Sequence, residues 1–268
     1  MKKTVSIIIF LILSISCSKP QVKTEIVRDV DPMLIAKEIF SIVNTERQNR
    51  GLYKLKYDEK LADIALMHSR NMVEQGFLSH EDRERRSFQE RVKIYYPEII
   101  FGEVGENIGY SQGVYREAIA KNLMEAWMNS PDFRANILNN RYSHIGVGVK
   151  RDGSIYYSTL NFIAAVVKVP DGTIKEVEFG SEVTLKFEFA GIFDRNDITV
   201  YCQFPDKNAK YYSFTNQFYT GRAPLTPEWI DHKTFSVTFK FDKGKGAYTF
   251  QFGREGNFYQ RGYTVVAK

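Results

Sequence analysis

The stretch from residue 102 to residue 148 constrains the fold more than any other part of this 268-residue chain. Its segments, in order, are a Glu-Asn pair flanked by glycines at 105–109, an apolar helical pattern that ends at Trp127, a Ser-Pro pair at 130–131 and a Gly-x-Gly strand at 146–148. A Ser-Pro pair is typical of a helix start. Glycines crowded into a short segment indicate unusual backbone angles or the close approach of a neighbouring group. The stretch predicts helices packed against a sheet.

This order of motifs resembles the CAP superfamily, the fold of cysteine-rich secretory proteins, plant pathogenesis-related proteins of class 1 and bacterial SCP-like proteins. The resemblance covers about half of the chain and implies an α-β-α sandwich over residues 31–168. It also implies a central cleft, faced by a histidine that follows the second helix and by the glutamate of the Gly-Glu-Asn segment. His80 and Glu106 match these two positions.

An imidazole that faces a carboxylate can share a proton, bind a divalent metal or orient a water molecule. The alternative for His80 and Glu106 is a structural hydrogen bond that fixes two loops. His68 differs from His80, because it lies on the apolar stripe of the second predicted helix. A buried histidine with a satisfied hydrogen bond is the favoured interpretation of His68.

The chain departs from the family at two of the four cleft positions that can form a metal-binding tetrad. Phe133 stands where bacterial members commonly have a histidine, and Ser130 stands where eukaryotic members have an acidic residue. Glu103 and His144 are further candidates for the cleft, although neither matches the tetrad by motif. Two protein ligands seldom hold zinc tightly. We therefore expect no required cofactor, and zinc bound by the remaining His–Glu pair is the alternative.

The N-terminus reads as an export signal. Lys2 and Lys3 precede an apolar run at 5–13, which is too short to span a bilayer. The run ends in Ser-Ile-Ser-Cys-Ser, which resembles a bacterial lipobox and predicts lipid modification of Cys17. Cleavage after Ser16 without lipidation is the alternative. Either way we expect an exported protein, lipid-anchored at an outer or cell-surface membrane or else secreted.

The remaining signals divide the chain into a signal peptide at 1–17, a flexible tether at 18–30, a CAP domain at 31–168 and a second domain at 169–268. In the CAP domain, helix starts are predicted at Asp31-Pro32, Asp58 and Ser111, and Gly76 is a helix stop. Asn44 and Arg47 fit either a solvated helix face or a structural role. An Asp-Gly pair at 152–153, between two apolar runs, predicts a β-hairpin.

The second domain is predicted to be an antiparallel β-sandwich, which makes the whole chain α+β. Its apolar residues alternate with polar ones in short runs at 183–189, 198–204, 235–241 and 248–252. Cys202, within one of these runs, is predicted to be a buried thiol. We find no catalytic motif in this half.

Composition excludes some functions. The formal charge is +5, and neither half carries a basic block, so no nucleic-acid partner is implied. The chain has two cysteines, too few for a domain stapled by disulfides.

Three functions remain. The preferred one is a non-enzymatic binding module for a lipid, a sterol or a macromolecular partner, of which lipid and sterol binding are implied by the family resemblance alone. The second is a metal-assisted hydrolase or peptidase that uses His80 and Glu106. The third is an adhesin or scaffold whose C-terminal β-domain binds a protein or glycan.

Overall fold

The computed structural model describes residues 30–205, 221–254 and 256–268. The predicted signal peptide, Cys17 and nearly all of the tether lie outside these ranges. In the described part of the chain, no helix is both long enough and apolar enough to cross a membrane.

Within the described ranges, the α-helices all lie before residue 139, and one short 3-10 helix follows at Arg195–Asp197. The α-helices are α1 Pro32–Gln48, α2 Glu59–Gln75, α3 Phe88–Tyr95, α4 Arg116–Asn129 and α5 Pro131–Leu138. The strands are β1 Lys56–Tyr57, β2 Ile99–Gln112, β3 His144–Asp152, β4 Ile155–Lys168, β5 Glu176–Val177, β6 Glu182–Phe189, β7 Ile198–Phe204, β8 Gly221–Leu225, β9 Glu228–Trp229, β10 Thr234–Lys240, β11 Gly246–Arg254 and β12 Asn257–Ala267. The chain is α+β, as the sequence predicts.

Helix caps account for the ends of α1 and α2. The Asp31 carboxylate accepts a hydrogen bond from the Met33 amide at 2.9 Å, and that of Asp58 accepts one from the Leu61 amide at 2.9 Å. Gly76 ends α2 in the left-handed conformation, with φ of 65°. These three predicted boundaries are confirmed.

The predicted helix start at Ser111 is wrong. Ser111 lies within β2, and α4 begins after Tyr115, which provides no side-chain cap. Here the backbone hydrogen bonds are made within the sheet, because Ser111 of β2 pairs with Tyr156 of β4. Extended pairing therefore continues through a residue that could have capped a helix.

The CAP half has an α-β-α arrangement, which follows from the alternation of side chains along its central strands. Val147 and Leu160 face a core built with α1 and α4. Ile163 and Ala165 belong to a second core, formed with α2 and α3. The helices thus cover opposite faces of one sheet.

Two sheets are formed within the described ranges. In the first, β4 pairs with β2 and β3, and its last residues pair with β6, which leads to β10 and β9. The second has the order β5-β12-β11-β7-β8. The C-terminal strands enclose an aromatic core that includes Phe187, Phe235 and Phe252. Cys202 is buried in this core, and burial raises the pKa of its thiol to about 12. This fits the predicted β-sandwich.

The two halves share that core. Ile100 of β2 and Val166 and Val167 of β4 pack in the same cluster as the C-terminal aromatic side chains. β4 ends at Lys168, where the sequence predicts the domain boundary, yet Val167 pairs with Phe189 of β6. The sheet hydrogen bonds therefore continue from one half into the other.

Candidate functional site

Glu106 of β2 is the centre of the predicted cleft. Its side chain is 4% exposed. One carboxylate oxygen, Oε1, lies 2.9 Å from Nδ1 of His80. The other, Oε2, accepts a hydrogen bond from Nη2 of Arg91, whose side chain is fully buried. A buried carboxylate needs such partners, since an unpaired charge in a protein interior is costly.

Arg91 also holds the loop that carries His80. It lies in α3, and its Nη1 donates hydrogen bonds to the carbonyls of His80 at 3.0 Å and of Arg86 at 2.9 Å. On the other side of the loop, Nε2 of His68 lies 2.8 Å from the carbonyl of Ser79. The backbone of the loop is thus fixed from two elements, and the His80 side chain, 53% exposed, faces outward from Glu106.

His68 is fully buried in α2, as its place on the apolar stripe predicts. Burial lowers the pKa of His68, so the ring is neutral. Because Nε2 faces a carbonyl, it must carry the hydrogen, which leaves Nδ1 as an acceptor. Within the described ranges Nδ1 has no hydrogen-bond partner. Nε2 is also 4.0 Å from Oε1 of Glu106, so His68 borders the cleft without bonding to its carboxylate.

An amide completes the surroundings of Glu106. With its nitrogen turned toward the carboxylate, Asn161 of β4 donates to Oε2 at 3.2 Å and accepts from the amide of Ala65 at 3.1 Å. Both oxygens of Glu106 are therefore engaged by protein groups.

Asn107 has a structural role. Its Nδ2 donates to the carbonyl of Phe133 at 3.0 Å, and its Oδ1 accepts from Nδ2 of Asn136 at 3.0 Å. A Cβ at Gly105 would lie 2.4 Å from the Tyr142 hydroxyl. This glycine is needed for close approach, and its φ is not positive.

Asn44 and Arg47 also have structural roles. Asn44 exchanges hydrogen bonds with the backbone of Leu55 at 3.1 and 2.8 Å. Arg47 is fully buried and donates to the carbonyls of Tyr53, Ile137 and Asn139. The solvated-face alternative is excluded.

The other two candidates do not bond to the His80–Glu106 pair. Glu103 binds Arg141, with Oε1 2.8 Å from Nη1. His144 begins β3, and its Nδ1 lies 2.8 Å from the Ser143 hydroxyl. Burial lowers the pKa of His144 to about 4, which keeps its ring neutral.

The cleft offers fewer side-chain ligands than a zinc site uses. In the part of the chain that is described, no three His, Cys, Asp or Glu side chains are grouped so that they could hold a metal. Phe133 takes the position of the family's second histidine, and its ring centroid lies 6.0 Å from that of His80. The cation beside Glu106 is Arg91. A structural or catalytic zinc site uses three or four protein ligands.

Arg91 is the cleft residue that the sequence motifs do not predict, because it lies on the short helix α3. The signal was present in Ser87 and Glu90, which form a capping box at the start of α3. Such a helix buries Phe88, Arg91 and Val92 on one face. A buried arginine at that spacing would have been a candidate partner for Glu106.

A groove of about 700 Å³ lies elsewhere on the CAP half, between α1 and α2 and along the edge of β3. Ala36 and Phe40 of α1, Leu66 of α2 and Val147 and Val149 of β3 contribute apolar surface. The charged residues that line it are Asp31, Lys37, Glu59, Asp63, Arg70 and Lys150. No local sequence pattern predicts this groove, since its walls come from distant parts of the chain.

Comparison with known proteins places the CAP half among its relatives. The model of the cysteine-rich secretory protein (CAP) family matches residues 40–167. The uncharacterized membrane protein YlbC of Bacillus subtilis is 36% identical over 47% of this chain and 34% of its own length. The uncharacterized protein YkwD of the same organism is 35% identical over 45% of this chain and 44% of its own length. The chain thus spans less than half of each relative.

Among solved structures, an extracellular SCP-domain protein of Bacillus anthracis is 29% identical, with a TM-score of 0.41, over 48% of this chain and 40% of its own. Residues 40–167, which the family model matches, include both His80 and Glu106. Residues 40–167 are a domain of the cysteine-rich secretory protein (CAP) family.

Proposed function

We propose that this protein is an exported, lipid-anchored binding module without enzymatic activity, and that its CAP domain holds an amphiphile with a hydrocarbon chain. The observation that carries the proposal is the groove between α1, α2 and β3. Its volume of about 700 Å³ lies in the range typical of small-molecule sites, roughly 300–1,000 Å³.

The groove suits an amphiphile because it is lined both by apolar side chains, which can contact a hydrocarbon chain, and by charged side chains, which can contact a headgroup. Phe40, Leu66 and Val147 offer carbon surface, from which a hydrocarbon chain would displace water. Lys37 and Arg70 offer cationic partners for a polar headgroup. Met33, which also lines the groove, is 63% exposed, so apolar surface is available to a ligand.

The surroundings of Glu106 favour a structural role for the cleft over hydrolysis. A general base or a metal ligand needs a carboxylate that can reach its target. Here Glu106 is bonded to His80, Arg91 and Asn161. These contacts are those of a structural centre that joins α2, α3 and the sheet.

Displacement of dansylaminoundecanoic acid, a fluorescent fatty acid, tests the groove on the chain from 18 to 268. We expect binding that natural fatty acids displace. Leu66→Glu places a charge on the apolar wall and should weaken binding at least tenfold, equivalent to about 1.4 kcal/mol.

Met67→Glu is the matched control, since Met67 is the next residue of α2, is similarly half-buried and does not line the groove. It should bind like the wild type. Equal affinity of the wild type and both variants, or no binding of the fatty acid at all, would rule out this groove.

Export and anchoring rest on the sequence before residue 30. The charged and apolar segments, the lipobox-like Cys17 and a relative named as a membrane protein support them. Metabolic labelling with a palmitate analogue should mark the wild type and not Cys17→Ser, and the variant should leave the membrane fraction. Labelling that persists in Cys17→Ser would contradict anchoring at this residue.

A further inference from the structure

The described part of the chain enters the CAP domain at one end of its sheet. The carbonyl of Val30 accepts a hydrogen bond from the hydroxyl of Tyr156 at 3.4 Å. Tyr156, the second residue of β4, pairs with Ser111 near the end of β2. Gln112, the last residue of β2, donates from Nε2 to the hydroxyl of Ser154, in the turn between β3 and β4, at 2.7 Å. These segments therefore lie together at what we call the tether end, which consists of residues 30–34, 110–115 and 152–157.

Four exposed apolar side chains gather at the tether end. Tyr110 lies on β2, and its ring centroid is 5.8 Å from that of the half-buried Tyr157 of β4. Val114 and Tyr115 follow in the turn before α4, and Leu34 lies in the first turn of α1. The exposed fraction of these four side chains ranges from 38% at Val114 to 60% at Tyr110. Single exposed apolar residues are ordinary, whereas several that meet from separate parts of a chain mark an interaction surface.

A contact between α1 and α4 places Leu34 on the same side as Tyr115. Leu34 and Glu38 are four residues apart in α1, so they share a face of the helix. Oε2 of Glu38 lies 3.9 Å from Nε of Arg116, the residue after Tyr115. Arg116 is also paired with Glu117, so its charge is balanced within the protein. The surface therefore offers apolar contact beside a balanced ion pair, which favours an apolar partner over an anionic one.

The place where the chain enters indicates what covers this surface. Cys17, the predicted lipid anchor, precedes Val30 by 13 residues, which span about 45 Å at most. A bilayer that holds this anchor lies within that distance of the tether end. Tyrosine rings favour the headgroup level of a bilayer, and aliphatic side chains favour its boundary with the acyl chains. Building on the lipid anchoring described above, we propose that the tether end rests on the membrane and that its four apolar side chains insert at this boundary.

This contact would orient the whole protein on the bilayer. β4 begins at the tether end and runs for 14 residues, about 45 Å, and near its far end Val167 pairs with Phe189 of β6. The C-terminal β-domain is thereby held away from the membrane. Met33, in the first turn of α1, lines the amphiphile groove, so that groove begins next to the bilayer.

Flotation of the chain from 18 to 268 with phosphatidylcholine vesicles tests the surface in the absence of the anchor. We expect binding at millimolar lipid that neither high salt nor added phosphatidylglycerol changes more than twofold. The double variant Leu34→Glu, Val114→Glu should lower the partition coefficient at least tenfold, because charges replace carbon surface at the boundary. A glutamate in the first turn of α1 favours that helix, so the fold is kept. Ile94→Glu is the control, since Ile94 is 51% exposed and lies in α3, which leads into the opposite end of β2. It should bind like the wild type.

A tryptophan reporter tests the orientation. With vesicles of brominated phosphatidylcholine, the fluorescence of Tyr110→Trp should be quenched, and that of Tyr53→Trp should not. Tyr53 is 78% exposed and follows the C-terminal end of α1, away from the tether end. Leu66→Glu should bind vesicles normally, which separates this surface from the amphiphile groove.

Four results would overturn the proposal. They are no binding at millimolar lipid, binding that high salt abolishes, a double variant that binds like the wild type, and equal quenching of the two reporters. Because the tested chain lacks Cys17, a failure of lipid labelling at that residue is distinguished from a failure of this surface.

Discussion

At the residue scale, Glu106 is neutralised by a neighbouring side chain of the same domain. Its Oε2 is bonded to the fully buried Arg91, and Asn161 donates to the same oxygen. A buried ion pair of this kind adds little net stability, but removing one partner strands the other charge in the interior. The consequences of single and paired substitutions should therefore differ.

Arg91→Met should lower the free energy of unfolding by about 3–5 kcal/mol, because Glu106 would remain as a buried, unpaired carboxylate. The double variant Arg91→Met, Glu106→Leu should lose less than the single variant. Urea denaturation of both measures this difference. A double variant less stable than Arg91→Met would show that the charge pair itself stabilises the fold.

His144 makes stability depend on pH. Burial lowers its pKa from 6.5 to about 4, so the unfolded chain takes up a proton at this residue before the folded protein does. Stability is therefore complete above pH 6.5 and falls as the pH drops from 6.5 toward 4, by roughly 2–3 kcal/mol from this residue. His144→Gln should show a smaller fall between pH 7 and pH 4.5 in urea denaturation. The same fall in the variant as in the wild type would contradict this assignment.

At this scale the sequence predicted which residues form the cleft better than it predicted the side chains that contact them. The resemblance of the Glu106 motif and of the loop after α2 to the CAP family was enough to pair His80 with Glu106. Arg91 could not be found by motif, since its role depends on the short helix α3 and on the direction in which that helix packs. Glu103 lies close to Glu106 in sequence and His144 begins β3, but β2 and β3 direct these two side chains to other partners.

At the scale of elements, glycines set how closely α2 packs on the sheet. A Cβ at Gly148 would lie 2.0 Å from the Leu66 backbone nitrogen, and one at Gly146 would lie 2.2 Å from that of Ala62. Backbone atoms in a helix cannot move aside as a flexible side chain can. The Gly-x-Gly pattern of β3 is thus explained by contact with the helix and not by unusual backbone angles.

Gly148→Ala should lower the free energy of unfolding by more than about 3 kcal/mol or prevent folding, because α2 would have to move away from β3. Gly153→Ala is the control. Its Cβ would meet no atom within 4 Å, although its φ of +56° adds a strain of about 1 kcal/mol. Thermal unfolding compares the two. Equal losses would contradict the role of close packing.

Short sequence motifs correctly predicted the starts of α1 and α2 and the hairpin, whose formation depends on neighbouring residues. The caps Asp31 and Asp58 and the hairpin after Asp152 were readable because each depends on neighbouring residues. The start at Ser111 was misjudged since pairing with β4, a long-range contact, outweighs a capping preference.

At the scale of the whole molecule, the alternating runs after residue 180 predicted strands and a sandwich, and the structure confirms the class. They could not predict that β4 would pair with β6, because register across distant strands is not encoded locally. Nor could they predict that Ile100 and Val166 would join the C-terminal core.

Deletion of residues 169–268 should therefore destabilise the CAP domain. It would expose Ile100, Val166 and Val167, which are now buried, and leave the end of β4 unpaired on the side of β6. We expect the truncated chain to aggregate or to unfold at a lower temperature in light-scattering and calorimetric measurements. A truncated chain that stays monomeric with the stability of the full chain would show that the halves fold independently.

Zinc titration by calorimetry tests the central claim, that this CAP domain is a binding module whose cleft is held by Arg91 and not a metal-assisted hydrolase. The account predicts no micromolar zinc binding that depends on His80, because the cleft offers two ligands and Glu106 is already engaged. Micromolar binding in the wild type that is lost in His80→Ala would contradict it and would favour the hydrolase.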